Sequence, residues 1–179
     1  MTAEEVDALF AAAEHSVFRL ETRQTYAVPA EDETLTAFRD GRPRPERSVR
    51  TSPWLARIAA ATAAGVVWSR VRVVEWPLTE YTRFELLAYV ESQVAGEQIS
   101  LVDRDMASDV DQDFWLFDGD TPHPRAVILH YSPDGHVEQR EFITDSTVVS
   151  DLARRRDAAS LHAVPLNEFL AHLNGRGGA

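Results

Sequence analysis

Residues 66–75, V-V-W-S-R-V-R-V-V-E, constrain this chain most. Apolar residues dominate them, as in a central strand covered on both sides. Yet Arg70 and Arg72 stand two apart, so they share one face of that strand with Trp68 and Val74. Pro77 then turns the chain, and Thr79 caps a helix to about residue 94. The pattern predicts Phe84, Leu87, Val90 and Val94 facing inward. Gly96 ends that helix, and residues 99–103 form a strand. The unit 66–103 reads as a parallel strand–helix–strand crossover, which would be right-handed.

Elsewhere the elements alternate. Thr2 and Glu5 form a capping box for a helix over about residues 3–15. Residues 17–28 alternate apolar and polar, predicting one or two short strands. Residues 31–39 form a short helix ended by Gly41. Residues 42–52 carry two prolines and several charges and read as a flexible loop. Pro53 starts an alanine-rich helix closed by Gly65. An acidic loop over 106–112 precedes a strand at 114–117 and a turn at Asp118-Gly119. Residues 125–131 and 136–143 pair as a hairpin, with His130 and His136 facing each other across it. Asp145 caps a helix to about His162, and Pro165 starts the last helix, with Leu166, Phe169, Leu170 and Leu173 on one face. The reading is a single α+β domain over 1–179, with a frayed tail at 175–179. Its sheet is mixed and largely antiparallel, of about five to seven strands with helices packed on it.

Composition narrows the function. The 179 residues include no cysteine, which removes disulfides, thiolate nucleophiles and cysteine zinc sites. Apolar runs are too short to span a bilayer, and no signal sequence opens the chain, so a cytoplasmic protein is expected. The net charge of −11 disfavours direct nucleic-acid binding. All 18 basic residues are arginine, which fits a high-GC genome. The hydrolase, kinase and dinucleotide signatures are absent. No cofactor and no metal is expected. Asp109, Asp111, Asp113 and Asp120 have calcium-loop offsets, but Phe114 stands where the loop needs glycine, so a solvated acidic loop fits better. Trp54 and Trp115 fall on apolar faces and are assigned to the core. Trp76 could stack on a ligand, although core packing is the simpler assignment.

The candidate ligand-binding residues are Arg70, Arg72, Tyr81, Arg83, Glu85 and Glu97. Two arginines on a strand, followed by a helix N-terminus, can meet an anion. The structural alternative is an Arg–Glu lattice, with Arg72 on Glu85, that fixes the helix to the sheet. Glu97, at a strand end, is either a cleft residue or an exposed turn residue.

Taken together, F-R-L-E at 18–21, P-W-L-A at 53–56, R-V-R-V-V at 70–74, P-L-T-E-Y-T-R-F-E at 77–85, A-G-E at 95–97 and D-F-W-L-F-D at 113–118 resemble an actinobacterial domain-of-unknown-function family, DUF6879. The resemblance runs nearly the whole chain. It implies an accessory protein found beside Xre-type helix-turn-helix regulators, and it carries no catalytic residues over. The stretch from residue 113 through the hairpin to P-L-N-E-F-L also resembles the effector half of some actinobacterial Xre regulators. The expected function is a regulatory interaction or ligand-sensing module, with a helix-turn-helix regulator as partner and a small anionic ligand. The alternatives are an enzyme acting on an anionic or nucleotide-like substrate, with Glu85 or Glu97 as base, and a toxin–antitoxin-like partner or acidic DNA mimic.

Overall fold

A computed structural model describes residues 1–176 and the side chains of 1–173. Seven strands form one sheet in the order β6-β5-β4-β1-β2-β3-β7. They are β1 (Ser16–Glu21), β2 (Val67–Val74), β3 (Gln98–Asp103), β4 (Phe114–Phe117), β5 (Arg125–Tyr131), β6 (Val137–Ile143) and β7 (Val164–Pro165). β1, β2 and β3 run parallel. The other four pairings are antiparallel. The sheet is thus mixed and mostly antiparallel, and the expected parallel unit is β2, α4 (Glu80–Val94) and β3.

Among the described residues six α-helices pack on this sheet: α1 (Ala3–Ala12), α2 (Asp32–Arg39), α3 (Pro53–Ala63), α4, α5 (Ser146–Leu161) and α6 (Leu166–Arg176). The caps follow the sequence. Thr2 and Glu5 close the capping box of α1, and Ser52, Thr79 and Asp145 accept backbone N–H groups at the starts of α3, α4 and α5. Of the expected frayed tail, residues 175 and 176 belong to α6 and 177–179 lie outside the described residues.

The period-two alternation of the strands gives the sheet two different faces. One is apolar throughout: Phe18, Leu20, Val71, Val73, Phe114, Leu116, Ala126 and Ile128 pack with Val149, Leu152 and Ala159 of α5. The other is apolar at one end, where Val17, Trp68, Phe117 and Val127 meet Phe10, Leu55 and Ile58 of α1 and α3. Its middle is charged: Arg19, Glu21, Arg70 and Arg72 are all buried there. Register makes this a lattice, because Arg19 lies beside Arg70, and Glu21 beside Arg72.

That charged middle explains the main departure from the periodicity. Leu87, Val90 and Val94 face solvent, and Val94 is 85% exposed. The buried side of α4 is instead Tyr81, Thr82, Phe84, Glu85, Leu86, Tyr89 and Ser92. The helix turns Tyr89 to this charged middle, where its hydroxyl donates to Glu21 and its ring lies 5.2 Å from the Arg70 guanidinium, contacts that a valine could not make.

Smaller differences are local. β1 stops at Glu21, and residues 22–28 form no strand. Pro165 closes β7, opposite Ser100, one residue before α6 begins. His130 stands opposite Gln139, and its ring meets Glu141, so it does not face His136. Trp76 is 43% exposed; its indole N–H donates to Asp103 Oδ1 at 2.8 Å, and its ring lies 6.0 Å from that of Phe169. No helix among the described residues is long and apolar enough to cross a membrane.

Candidate functional site

The charged middle of the sheet forms the floor of a cavity of about 610 Å³. Arg19 and Glu21 of β1, Arg70 of β2 and Trp115 of β4 contribute to that floor. Tyr81, Glu85, Ala88, Tyr89 and Ser92 of α4 form one wall. Tyr26, Val28, Glu31 and Thr34 form another, and Pro45, Arg47, Ser52 and Trp54 a third. Leu129, Tyr131, Gly135 and Val137 close the side toward the hairpin.

The floor is held by ion pairs. Arg70 donates from Nη1 to Glu21 Oε1 at 2.7 Å and from Nε to Glu97 Oε1 at 2.9 Å. Glu21 Oε2 accepts from Tyr89 Oη at 2.5 Å and lies 3.5 Å from Arg72 Nη1. Arg19 donates from Nη2 to Asp113 Oδ2 at 2.8 Å and to Tyr131 Oη at 2.9 Å. Asp113 also accepts from the Thr22 N–H and hydroxyl and from Tyr26 Oη. Burial opposes the charge of Glu21, but Arg70, Arg19 and Arg72 outweigh it and hold this carboxyl well below the usual carboxylate range.

The sequence-derived candidates divide in this frame. Arg70, Tyr81 and Glu85 line the cavity. Glu97 is 1% exposed and anchors Arg70 from beneath rather than sitting in an exposed turn. Gly96 positions it with φ of 111°, where an added Cβ would lie 2.6 Å from Thr62 Oγ1. Arg72 is 0% exposed and is not part of the lining. Its ion partner is Glu21, not Glu85, and its guanidinium lies 4.9 Å from the Tyr26 ring centroid. Arg83 is exposed on the outer face of α4, away from the cluster.

Glu85 is the unusual group. It is 5% exposed, lines the cavity, and its carboxyl makes no hydrogen bond or ion pair among the described residues. Burial, then the nearby Glu31 and Glu21 carboxyls, push it up to about 8, against smaller opposing effects of Arg72 and Arg70. Glu31 is raised too, chiefly by burial, while its Oε2 accepts from Tyr81 Oη at 2.8 Å. At neutral pH the site therefore offers a protonated carboxyl beside a partly buried second one.

Sequence reasoning missed Arg19, Glu21, Tyr26, Asp113 and Tyr131. A signal for the first two was present: F-R-L-E places Arg19 and Glu21 on one strand face, as R-V-R places Arg70 and Arg72. Asp113 is buried, not part of a solvated loop. Asp111 and Asp120 turn to Arg155 and Arg156, so the four aspartates do not converge. Trp54 and Trp115 pack on Phe10 and Trp68 as expected, yet both also line the cavity.

A search of curated proteins finds no match to this sequence. A family model described as a domain of unknown function, DUF6879, matches residues 4–171, a span that takes in the whole sheet and every cavity residue. The chain belongs to the DUF6879 family.

Proposed function

We propose that this protein is a ligand-sensing regulatory module of actinobacteria, acting in the cytoplasm with a helix-turn-helix regulator of the Xre type. The observation that carries the reading is the double role of α4. One face of that helix is the cavity wall, with Tyr81, Glu85, Ala88 and Tyr89. Its opposite face presents Leu87, Val90 and Val94 to solvent. A ligand that shifts α4 on the sheet shifts an apolar outer stripe by the same amount, so occupancy can be read by a protein docked there. The net charge of −11 suits a basic DNA-binding partner. The family resemblance supplies the kind of partner.

The test uses the purified Xre-type regulator encoded beside the gene, titrated with this protein at near-physiological salt. Wild type forms a complex, and Val90→Glu weakens it while leaving the far-ultraviolet circular dichroism unchanged. Absence of any complex at high micromolar concentration refutes the regulatory reading.

One observation favours a second reading, an enzyme acting on an anionic or nucleotide-like substrate. A cavity carboxyl whose protonation changes near neutral pH, as at Glu85, has the property of a general acid–base. Turnover of any phosphate or carboxylate substrate that vanishes in Glu85→Gln would establish it.

A further inference from the structure

The charge ledger of the cavity indicates what it takes. Three buried guanidiniums, Arg19, Arg70 and Arg72, face three buried carboxylates, Glu21, Glu97 and Asp113. These are matched in number; Arg19 and Arg70 are hydrogen-bonded to the carboxylates, while Arg72 makes no hydrogen bond among the described residues and lies 3.5 Å from Glu21, outside the cavity lining. An anion entering the cavity would have to compete with carboxylates already in place. Glu31 and Glu85 are additional to that balance, and both line the cavity; Arg47, which also lines it, is paired with Glu91. Glu85 is more than nine-tenths buried with no hydrogen bond or ion pair to its carboxyl among the described residues. Glu31 has one oxygen engaged by the Tyr81 hydroxyl. Around them lie the apolar surfaces of Trp54, Leu129 and Val137.

Resting on the reading of this cavity as a ligand site, we infer that its ligand is an organic cation, with an ammonium group held by Glu85 and Glu31 and an aromatic or aliphatic body against Trp54. A buried carboxyl with no partner stays neutral, because ionising it in a poorly hydrated place is costly. An ammonium beside it supplies the missing counter-charge and lets it ionise. The groups that face Glu85 are Glu31 beside α2, Glu21 of β1, Arg70 and Arg72 of β2, and Tyr81 and Tyr89 of its own helix. Arg70 is tied to Glu21 and Glu97, and Arg72, which lies outside the lining, has Glu21 at 3.5 Å, so neither arginine is bound to Glu85 or Glu31 and the entering cation meets two carboxyls with no ion partner among the described residues.

The test is calorimetry with two probes of one shape and opposite charge, tryptamine and indole-3-propionate, near neutral pH in two buffers of different ionisation enthalpy. Tryptamine is expected to bind with release of a proton to the buffer. In Glu85→Gln the affinity falls roughly tenfold or more and the proton release disappears. Thermal unfolding confirms that the variant is folded. Indole-3-propionate binding as tightly as tryptamine, or tryptamine binding that Glu85→Gln leaves unchanged, overturns the inference. So does failure of both probes at millimolar concentration.

The cavity reading is judged separately, with Ala88→Trp, which fills the space beneath α4. If wild type retains small molecules from native lysate and Ala88→Trp does not, the ligand site stands whichever charge it prefers. If the two retain the same molecules, the ligand site itself fails.

Discussion

Arg70 and Glu21 meet across the parallel pair β1–β2, with Nη1 and Oε1 2.7 Å apart and both side chains buried. This contact joins the two strand motifs that define the charged face. It also couples them to α4, since the other oxygen of Glu21 accepts from Tyr89. Removing Glu21 would leave Arg19, Arg70 and Arg72 short of their shared carboxylate. Glu21→Ala is expected to cost about 3–5 kcal/mol, because it strands buried charge rather than deleting one contact. Urea unfolding would measure it; a loss below about 1 kcal/mol would mean that the lattice is not structural.

The exposed pair Arg39–Glu80 offers the contrast. Its atoms are 2.6 Å apart, shorter than in the buried pair, yet both side chains are more than half exposed. Arg39→Ala should change stability by about 0–1 kcal/mol, since solvent screens the pair and both side chains give up freedom to make it. The same unfolding titration checks it, and added salt should abolish even that difference.

Glu85 sets a pH dependence of definite sign. Its carboxyl is raised to about 8 in the folded protein, against roughly 4.3 for an unfolded chain. Between those values the native state holds a proton that the unfolded state has released. Stability from this group is fully present below about pH 4 and is lost as pH rises through about 8. Glu21 acts oppositely: its depressed carboxyl contributes stability above its unfolded range that disappears only in acid. Thermal unfolding of wild type should fall from pH 5 to pH 9. Glu85→Gln should flatten that slope and raise the melting temperature at the alkaline end. Parallel curves for the two proteins would contradict this assignment.

Gly96 holds the loop that delivers Glu97. A side chain there meets both a φ of 111° and Thr62 Oγ1 at 2.6 Å. Gly96→Ala should cost about 1–3 kcal/mol, since both the left-handed backbone and the contact are unfavourable. Thr62→Ala in the same chain removes the contact and should recover only part of the loss. Full recovery would show that the backbone conformation carries no cost.

The sequence by itself determined most of the elements and their order, although not the short β7. Caps at Thr2, Thr79 and Asp145, Pro53 at a helix start, glycines after helices, and alternation in the strands are local signals, and local physics decides them. The pattern around Arg70 and Arg72 also announced that this strand would need unusual partners. Which partners these are was decided only by the tertiary structure. Glu21 and Arg19 arrive from β1, which pairs with β2 after about fifty intervening residues, and Asp113 from the residue before β4. Such long-range registers leave no trace in a window of neighbouring residues. The same holds for α4: its apolar spacing pointed Leu87, Val90 and Val94 inward, but the charged lattice beneath it meets the face with Tyr89, which donates to Glu21. Hydrophobic periodicity reports what a helix could bury, whereas the charge on the opposing sheet determines what it must bury.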